Sequence, residues 1–501
     1  MGAGFVRNSS HIFQLYPPGL CYNEHEQTVC LNRHLSAMID NIGDTIYMKR
    51  YKTILAGACS AFLLATSLSL PTWAADTDCP DTHILVPADD PAGDVPPYAQ
   101  LPSLSALRAA AFGPGVQNLS VGDRYAIYQW GLKNDGEFQL IQMTTTFRSL
   151  DSVYGKRKGR SSSISLPDLG PGMLESQSTV IRATPGIDIN ILPAWAQYDA
   201  KAPEEKRQVV VAVIDTGIDL SHPDLKDAIW TNPGEIPGDG VDNDGNGYVD
   251  DIHGWNFYTS SPTLYSGTED SHGTHTAGTI AAARGSGGVA GIADSSQVKL
   301  MCLKALGGPY GIGSPDSVIR AIRYAEANGA SICNLSLGTS SYSQELADTI
   351  RDSHMLFIVA SGNGDSNGQG YDIDAVPVYP ASLPFDNVIA VSGLLFDGSL
   401  AASSNFGAMS VDIAAPSAYI LSTAPEGGYA FMSGTSMAAP MVTGTAAMVY
   451  SYRTDLALSD IKNVLLASSR PLEGLQGKSV SSGMLDAHAA LNYGLPAADT
   501  P

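Results

Sequence analysis

The 501-residue chain carries 28 Lys and Arg against 50 Asp and Glu, a formal charge of −22. That balance argues against nucleic acid or an anionic membrane surface as a partner. Hydrophobic residues make up 44% and charged ones only 16%, with 51 glycines; this allows one large domain or two to three ordinary ones and suits a compact, loop-rich secreted protein rather than a disordered one.

Residues 1–47 show no helical or strand period. Met48-Lys49-Arg50-Tyr51-Lys52 is then a basic start, Thr53 to Leu70 an apolar stretch, and Pro71-Thr72-Trp73-Ala74 a small-residue cleavage site. This order is that of a secretory signal over residues 48–74, cut after Ala74. The stretch is short and rich in Ser and Thr, unlike a stable membrane anchor. A signal must present its basic end first, so translation is expected to start at Met48, with 1–47 a non-native upstream extension. Residues 75–185 differ again. They run from a Pro-rich stretch (Asp89 to Pro102) through strand-like Tyr125–Trp130 and Phe138–Met143 to an exposed basic loop, Gly155 to Ser163.

From Gly186 to about residue 495, apolar runs alternate with helical patterns. Val209–Ile214 is an unbroken β-branched and apolar run, the mark of a strand buried on both faces. Val298–Ala305, Ala330–Leu335, Met355–Ala360 and Val388–Val391 also read as strands. Asp316–Ala327, Ser343–Asp352, Ser436–Tyr452 and Ser459–Ala467 read as helices. The alternation predicts an α/β domain of three layers, a mostly parallel sheet with helices on both faces. Residues 496–501 are a tail. Cys302 and Cys333 lie in two of the apolar runs and are expected as buried free thiols.

Asp239 to Asp251 is dense in carboxylates. Asp242, Asp244 and Asn246 occupy positions 1, 3 and 5 of a calcium-loop pattern, with Gly247 at 6. Carboxylates so close repel one another unless a cation binds. Structural Ca2+ held by Asp242, Asp244, Asn246 and Asp250 is therefore expected, although position 12 is His253 and not Glu.

Three stretches carry chemistry. Asp215-Thr216-Gly217 closes the first strand, at the carboxyl edge where open sheets place their sites. Asp270-Ser271-His272-Gly273-Thr274-His275 is a small-residue helix start. Ser433-Gly434-Thr435-Ser436-Met437-Ala438-Ala439-Pro440 puts Ser436 at or just inside a helix N-terminus, a setting that favours developing negative charge. A carboxylate, an imidazole and a hydroxyl in this order can form a triad. His272 and His275 lack the Glu and third ligand of a zinc pattern. The order and the flank of Ser436 also differ from those of α/β-hydrolases.

These three stretches resemble the subtilisin family of serine peptidases (subtilases), over about Gly186 to Tyr493. The resemblance implies a secreted serine endopeptidase with a three-layer subtilisin-like fold, acting through Ser436 as nucleophile, His272 as base and Asp215 as orienter. It implies Asn363, in Ala360-Ser361-Gly362-Asn363, as oxyanion donor with the Ser436 N–H. It assigns Ser336, Leu337 and Gly338, with Ala360, Ser361 and Gly362, to the substrate pocket, and Val378-Tyr379-Pro380 to its base. Small or medium apolar side chains are expected there. Its position makes 75–185 a propeptide or accessory region of a zymogen. Ala283 to Gly288 lacks the Asn of a second calcium loop found in many subtilisins. The expected partners are protein or peptide substrates, with the enzyme itself a monomer.

Overall fold

The computed structural model describes residues 86–87, 99–100, 123, 125–142 and 177–495. Residues 1–74, the basic loop Gly155–Ser163 and the tail 496–501 lie outside the described residues.

The centre is a nine-stranded sheet. Its strands in chain order are β1 (Val209–Asp215), β2 (Gly254–Asn256), β3 (Val298–Lys304), β4 (Ile332–Leu335), β5 (Leu356–Ala360), β6 (Val388–Leu394), β7 (Ile413–Pro416), β8 (Arg470–Pro471) and β9 (Gly483–Met484). They lie in the spatial order β8-β9-β7-β6-β5-β4-β1-β3-β2, antiparallel only between β8 and β9. The helices are α1 (Ile191–Ala200), α2 (Ser271–Ala281), α3 (Pro315–Ala327), α4 (Gln344–Asp352), α5 (Thr435–Tyr452), α6 (Ile461–Ala467) and α7 (Ala487–Asn492).

Alternation along β1 makes the three layers. Val209, Val211 and Val213 enter a core shared with α1, α2, α5, α6 and α7. Ala212 and Ile214 enter a second core shared with α3 and α4. The central strands β1, β3, β4, β5 and β6 are buried on both faces, so their sequences read as nearly continuous apolar runs. Cys302 on β3 and Cys333 on β4 are buried and free. They belong to the two different cores, on opposite faces of the sheet, so no bridge is possible between them. Burial pushes both thiols well above their ordinary range.

One expectation needs correction. Tyr125–Trp130 is not a strand but a turn of 3-10 helix, Ala126–Tyr128. Its aromatic composition looks strand-like, yet its partners are remote: Trp130 Nε1 donates to Ala418 O at 2.7 Å, and Gln129 exchanges hydrogen bonds with Ala290 N and O. Packing into the first core also extends ahead of Gly186. Trp130 is 1% exposed, stacks on Phe138 and belongs to the first core. Glu137–Gln142 pairs antiparallel with Gln177–Arg182, ahead of α1. Part of the 75–185 region is therefore core.

Candidate active site

Asp215 ends β1 and is buried among the elements that follow it. Its Oδ1 accepts from His272 Nδ1 at 2.6 Å and from Thr216 N at 2.6 Å. An ionised carboxylate can only accept, so an imidazole hydrogen sits on Nδ1, and in the neutral ring Nε2 is then the acceptor. Glycines permit this approach. A Cβ on Gly273 would lie 2.2 Å from Gly217 O and 3.1 Å from Asp215 Cβ. The residue after His272 thus has to be Gly for α2 to start against the end of β1. His275, one turn on, faces the hairpin of Ile420–Ala424 and Gly428–Met432, with Nε2 2.9 Å from Ile420 O. It fastens α2 to that hairpin.

Ser436 is the second residue of α5, capped by Gly434 at φ 139°. Pro440 lies four residues on and has no N–H, so it cannot take the Ser436 carbonyl as a helix bond. Ser336 takes it instead, its Oγ donating to Ser436 O at 2.9 Å. Ser436 Oγ in turn donates to Ser336 O at 3.3 Å. Behind them, Thr443 Oγ1 donates to Asn334 Oδ1 at 2.8 Å, and Asn334 Nδ2 to Ser336 Oγ at 3.0 Å. This relay ties α5 to the end of β4. Asn334 was readable as a polar residue in an apolar run; Thr443 left no local signal.

Asn363 follows β5. Its Oδ1 accepts from Thr435 N at 2.8 Å and Thr435 Oγ1 at 3.1 Å. The Thr435 backbone N–H can only donate, so the amide atom that faces it is the oxygen. Nδ2 is then left as a buried donor with no hydrogen-bond partner among the described residues. Orphaned buried donors are rare and point to a ligand or a reacting group.

Residues 206–489, more than half of the chain, match the family model described as "Subtilase family". The chain belongs to the subtilase family. The major intracellular serine protease of Bacillus subtilis (strain 168) is 34% identical over 302 residues, covering 57% of this chain and 85% of that one. Subtilisin Savinase of Lederbergia lenta is 35% identical over 287 residues, 56% of this chain and 90% of that one. Subtilisin-like protease 1 of Plasmodium berghei (strain Anka) is 33% identical over 293 residues, but these are only 48% of its length. As a member of this family the chain is a serine endopeptidase.

In this subtilase the strand Leu337–Gly338 follows Ser336 and pairs antiparallel with the backbone of Val86–Pro87. Thr339 and Tyr379 exchange backbone hydrogen bonds of 2.8 and 2.9 Å, which brings Val378 up to the strand. A Cβ on Gly338 would lie 3.2 Å from Val378 Cγ1, and one on Gly362 3.7 Å from it. Val378 thus stands between Gly338 and Gly362, and Ala360 and Ser361 continue the wall as fully buried residues.

The acidic loop folds differently from the expected ligand set. Carboxylate oxygens of Glu235, Asp242 and Asp244 lie within 4.8 Å of one another. Asp250 is turned away: at φ 56° it accepts from Gly238 N and Gly240 N. The Asn246 amide binds Asp244 and Asp251, and its oxygen accepts from Tyr248 N. Glu235 is the third carboxylate that meets Asp242 and Asp244. It was missed because it lies seven residues before Asp242 and enters through contacts with Asn243 N, Asp244 N and Asp250 N. The Gly247 N–H, with those of Gly245 and Asn246, holds the Asp242 carboxyl below its usual range. Three converging oxygen donors suit Ca2+, which takes six to eight.

Proposed function

We propose that this serine endopeptidase works through Ser436 as nucleophile, His272 as general base and then acid, and Asp215 as the carboxylate that fixes the imidazole. The buried 2.6 Å contact of Asp215 Oδ1 with His272 Nδ1 is the observation that carries the reading. Ser436 Oγ attacks the peptide carbonyl carbon and its proton passes to His272 Nε2. The C–N bond then breaks as that proton moves to the leaving amine, and water repeats the sequence on the acyl-enzyme. Asn363 Nδ2 and the Ser436 N–H, at the amino end of α5, receive the oxyanion. The test is direct. A fluorophosphonate probe should label the chain once, at Ser436, with labelling lost on boiling. A folded, processed enzyme that cleaves casein yet carries the label elsewhere would remove Ser436 from the role.

The substrate lies along Ser336–Gly338 by strand addition. Val378 narrows the pocket between Gly338 and Gly362, which favours small or medium apolar side chains before the scissile bond. Val378→Gly is expected to raise kcat/KM for a Phe substrate relative to an Ala one about 10-fold or more, the scale of a few methylenes in a pocket. An unchanged ratio in peptide assays would place the pocket elsewhere.

The protein is made for export through residues 48–74, as a zymogen. Backbone pairing of Val86–Pro87 with Leu337–Gly338 supports a pro-segment that holds the substrate strand until it is removed. The burial of Trp130 supports a removable portion that ends ahead of Asp123. Among the described residues no helix is long and apolar enough to cross a membrane.

Ca2+ is held by Glu235, Asp242 and Asp244. EDTA should then lower the melting temperature of the fluorophosphonate-inhibited enzyme by about 5–10 °C, from ~2.7 kcal/mol of linkage at a ligand concentration 100 times Kd. Glu235→Gln with Asp242→Asn should remove the shift. Identical melting curves with EDTA and with calcium would leave only an acidic turn.

A further inference from the structure

Lys304 closes β3, opposite Asp215 in the β1–β3 register. Its side chain is 1% exposed. The ammonium donates to Thr216 O at 2.5 Å, to the Asp270 carboxylate, and to Glu269 Oε1 at 3.3 Å. An ammonium has three N–H donors, so each has its acceptor. These acceptors come from two segments. Thr216 directly follows Asp215. Asp270 immediately precedes α2 and lies two residues before His272. Asp270 is fully buried, and its second oxygen accepts from Ser266 N.

The two segments meet with almost no side chain between them. A Cβ on Gly217, at φ +116°, would lie 2.8 Å from Asp270 Oδ1 and 2.6 Å from Leu264 O. Across this seam the Asp270 carboxylate lies against the Gly217 backbone, and the Lys304 ammonium is a polar link that reaches both segments. Burial pushes the Asp270 carboxyl up, and the ammonium opposes that push. Removing either charge alone would leave the other buried without its main partner, which is strongly unfavourable.

We propose that Lys304 is a positioning residue for the reaction: by joining Thr216 O to Asp270 it sets the spacing between the segment bearing Asp215 and the segment bearing His272. The inference rests on the triad reading of Asp215, His272 and Ser436. A buried pair serving stability alone is commonly replaced by neutral groups of similar size without loss. A clamp on reacting groups is not, because a displacement of about 1 Å costs roughly 10²-fold in rate.

The test is the double variant Lys304→Met with Asp270→Asn in the full-length chain. It removes both charges together and keeps an oxygen for the Ser266 N–H. Titration with a fluorophosphonate counts the competent sites, so kcat is expressed per labelled Ser436. The expected result is a cooperative melt close to that of the parent, KM for a peptide substrate within about threefold, and kcat lower by about 10- to 100-fold. A folded double variant with kcat within about threefold of the parent overturns the proposal. Should the double variant not fold, Asp270→Glu, which keeps both charges and lengthens the link by one methylene, carries the question: kcat should fall about tenfold with KM kept, and an unchanged kcat in the folded variant overturns it. Loss of labelling in the parent itself would instead mark failure of the triad reading.

Discussion

Ser436→Ala is expected to lower kcat for peptide hydrolysis by roughly 10⁶-fold, the scale measured when the nucleophile of another member of this family, a subtilisin, is removed. The loss is large because the serine, imidazole and carboxylate act as a unit. Without the hydroxyl there is no acyl-enzyme, and His272 has no proton to take. Folding should be nearly untouched. Ser436 Oγ makes one long hydrogen bond, 3.3 Å to Ser336 O, whereas the main-chain carbonyl of Ser436 keeps its 2.9 Å bond from Ser336 Oγ. A neutral hydrogen bond of this kind contributes about 1 kcal/mol or less. The variant should therefore melt within a few degrees of the parent while its casein hydrolysis disappears. It should also keep its pro-segment if maturation is self-catalysed. Casein hydrolysis by the purified variant at more than about one part in a hundred of the parent rate would contradict the assignment.

Asn363→Leu is the second large effect. It should lower kcat by about 10²- to 10³-fold, roughly 3–4 kcal/mol in the barrier, with KM changed little. That magnitude too was measured on the oxyanion asparagine of a subtilisin. The reason for expecting it here is specific. Both Oδ1 contacts run to Thr435, the residue before the nucleophile, so the amide is held with Nδ2 directed away from α5's first N–H. The donor needs no reorganisation as charge develops. Leu keeps the volume and removes the donor, but it also leaves Thr435 N without its acceptor. Asn363→Asp restores that acceptor and still lacks the N–H₂. Both variants should lose activity; Asn363→Asp retaining kcat within about tenfold would show that Nδ2 does not meet the oxyanion.

Much of this was legible in order along the chain. The strand ending in Asp215 announces itself because burial on both faces demands an unbroken apolar run. Ser436 could be set at a helix start because Gly434 and the small residues after it leave few other conformations, and α5 does begin at Thr435. Such features depend on residues a few positions apart, and periodicity and turn chemistry report them. The subtilase motifs added the roles of His272 and Asn363, which no local pattern carries.

Other features were decided only when distant segments met. Trp130 belongs to the core because its indole reaches Ala418 O, 288 residues away, and nothing around Tyr125–Trp130 tells that burial from a strand. Along the acidic loop every Asp looks alike as a letter. Backbone conformation separates them: Asp250 at φ 56° turns to the Gly238 and Gly240 amides, while Glu235 joins Asp242 and Asp244 from outside the motif. Lys304 is a charged residue within the apolar run Val298–Ala305, and nothing beside it in the chain shows what it meets. Its burial, and its link between the segments of Asp215 and His272, exist only because β1 and β3 pair in register and α2 starts over Gly217. The chemistry of the site was written in short motifs; the distances within it come from long-range packing, since residues 57 positions apart are brought to 2.6 Å by the sheet and not by the chain between them.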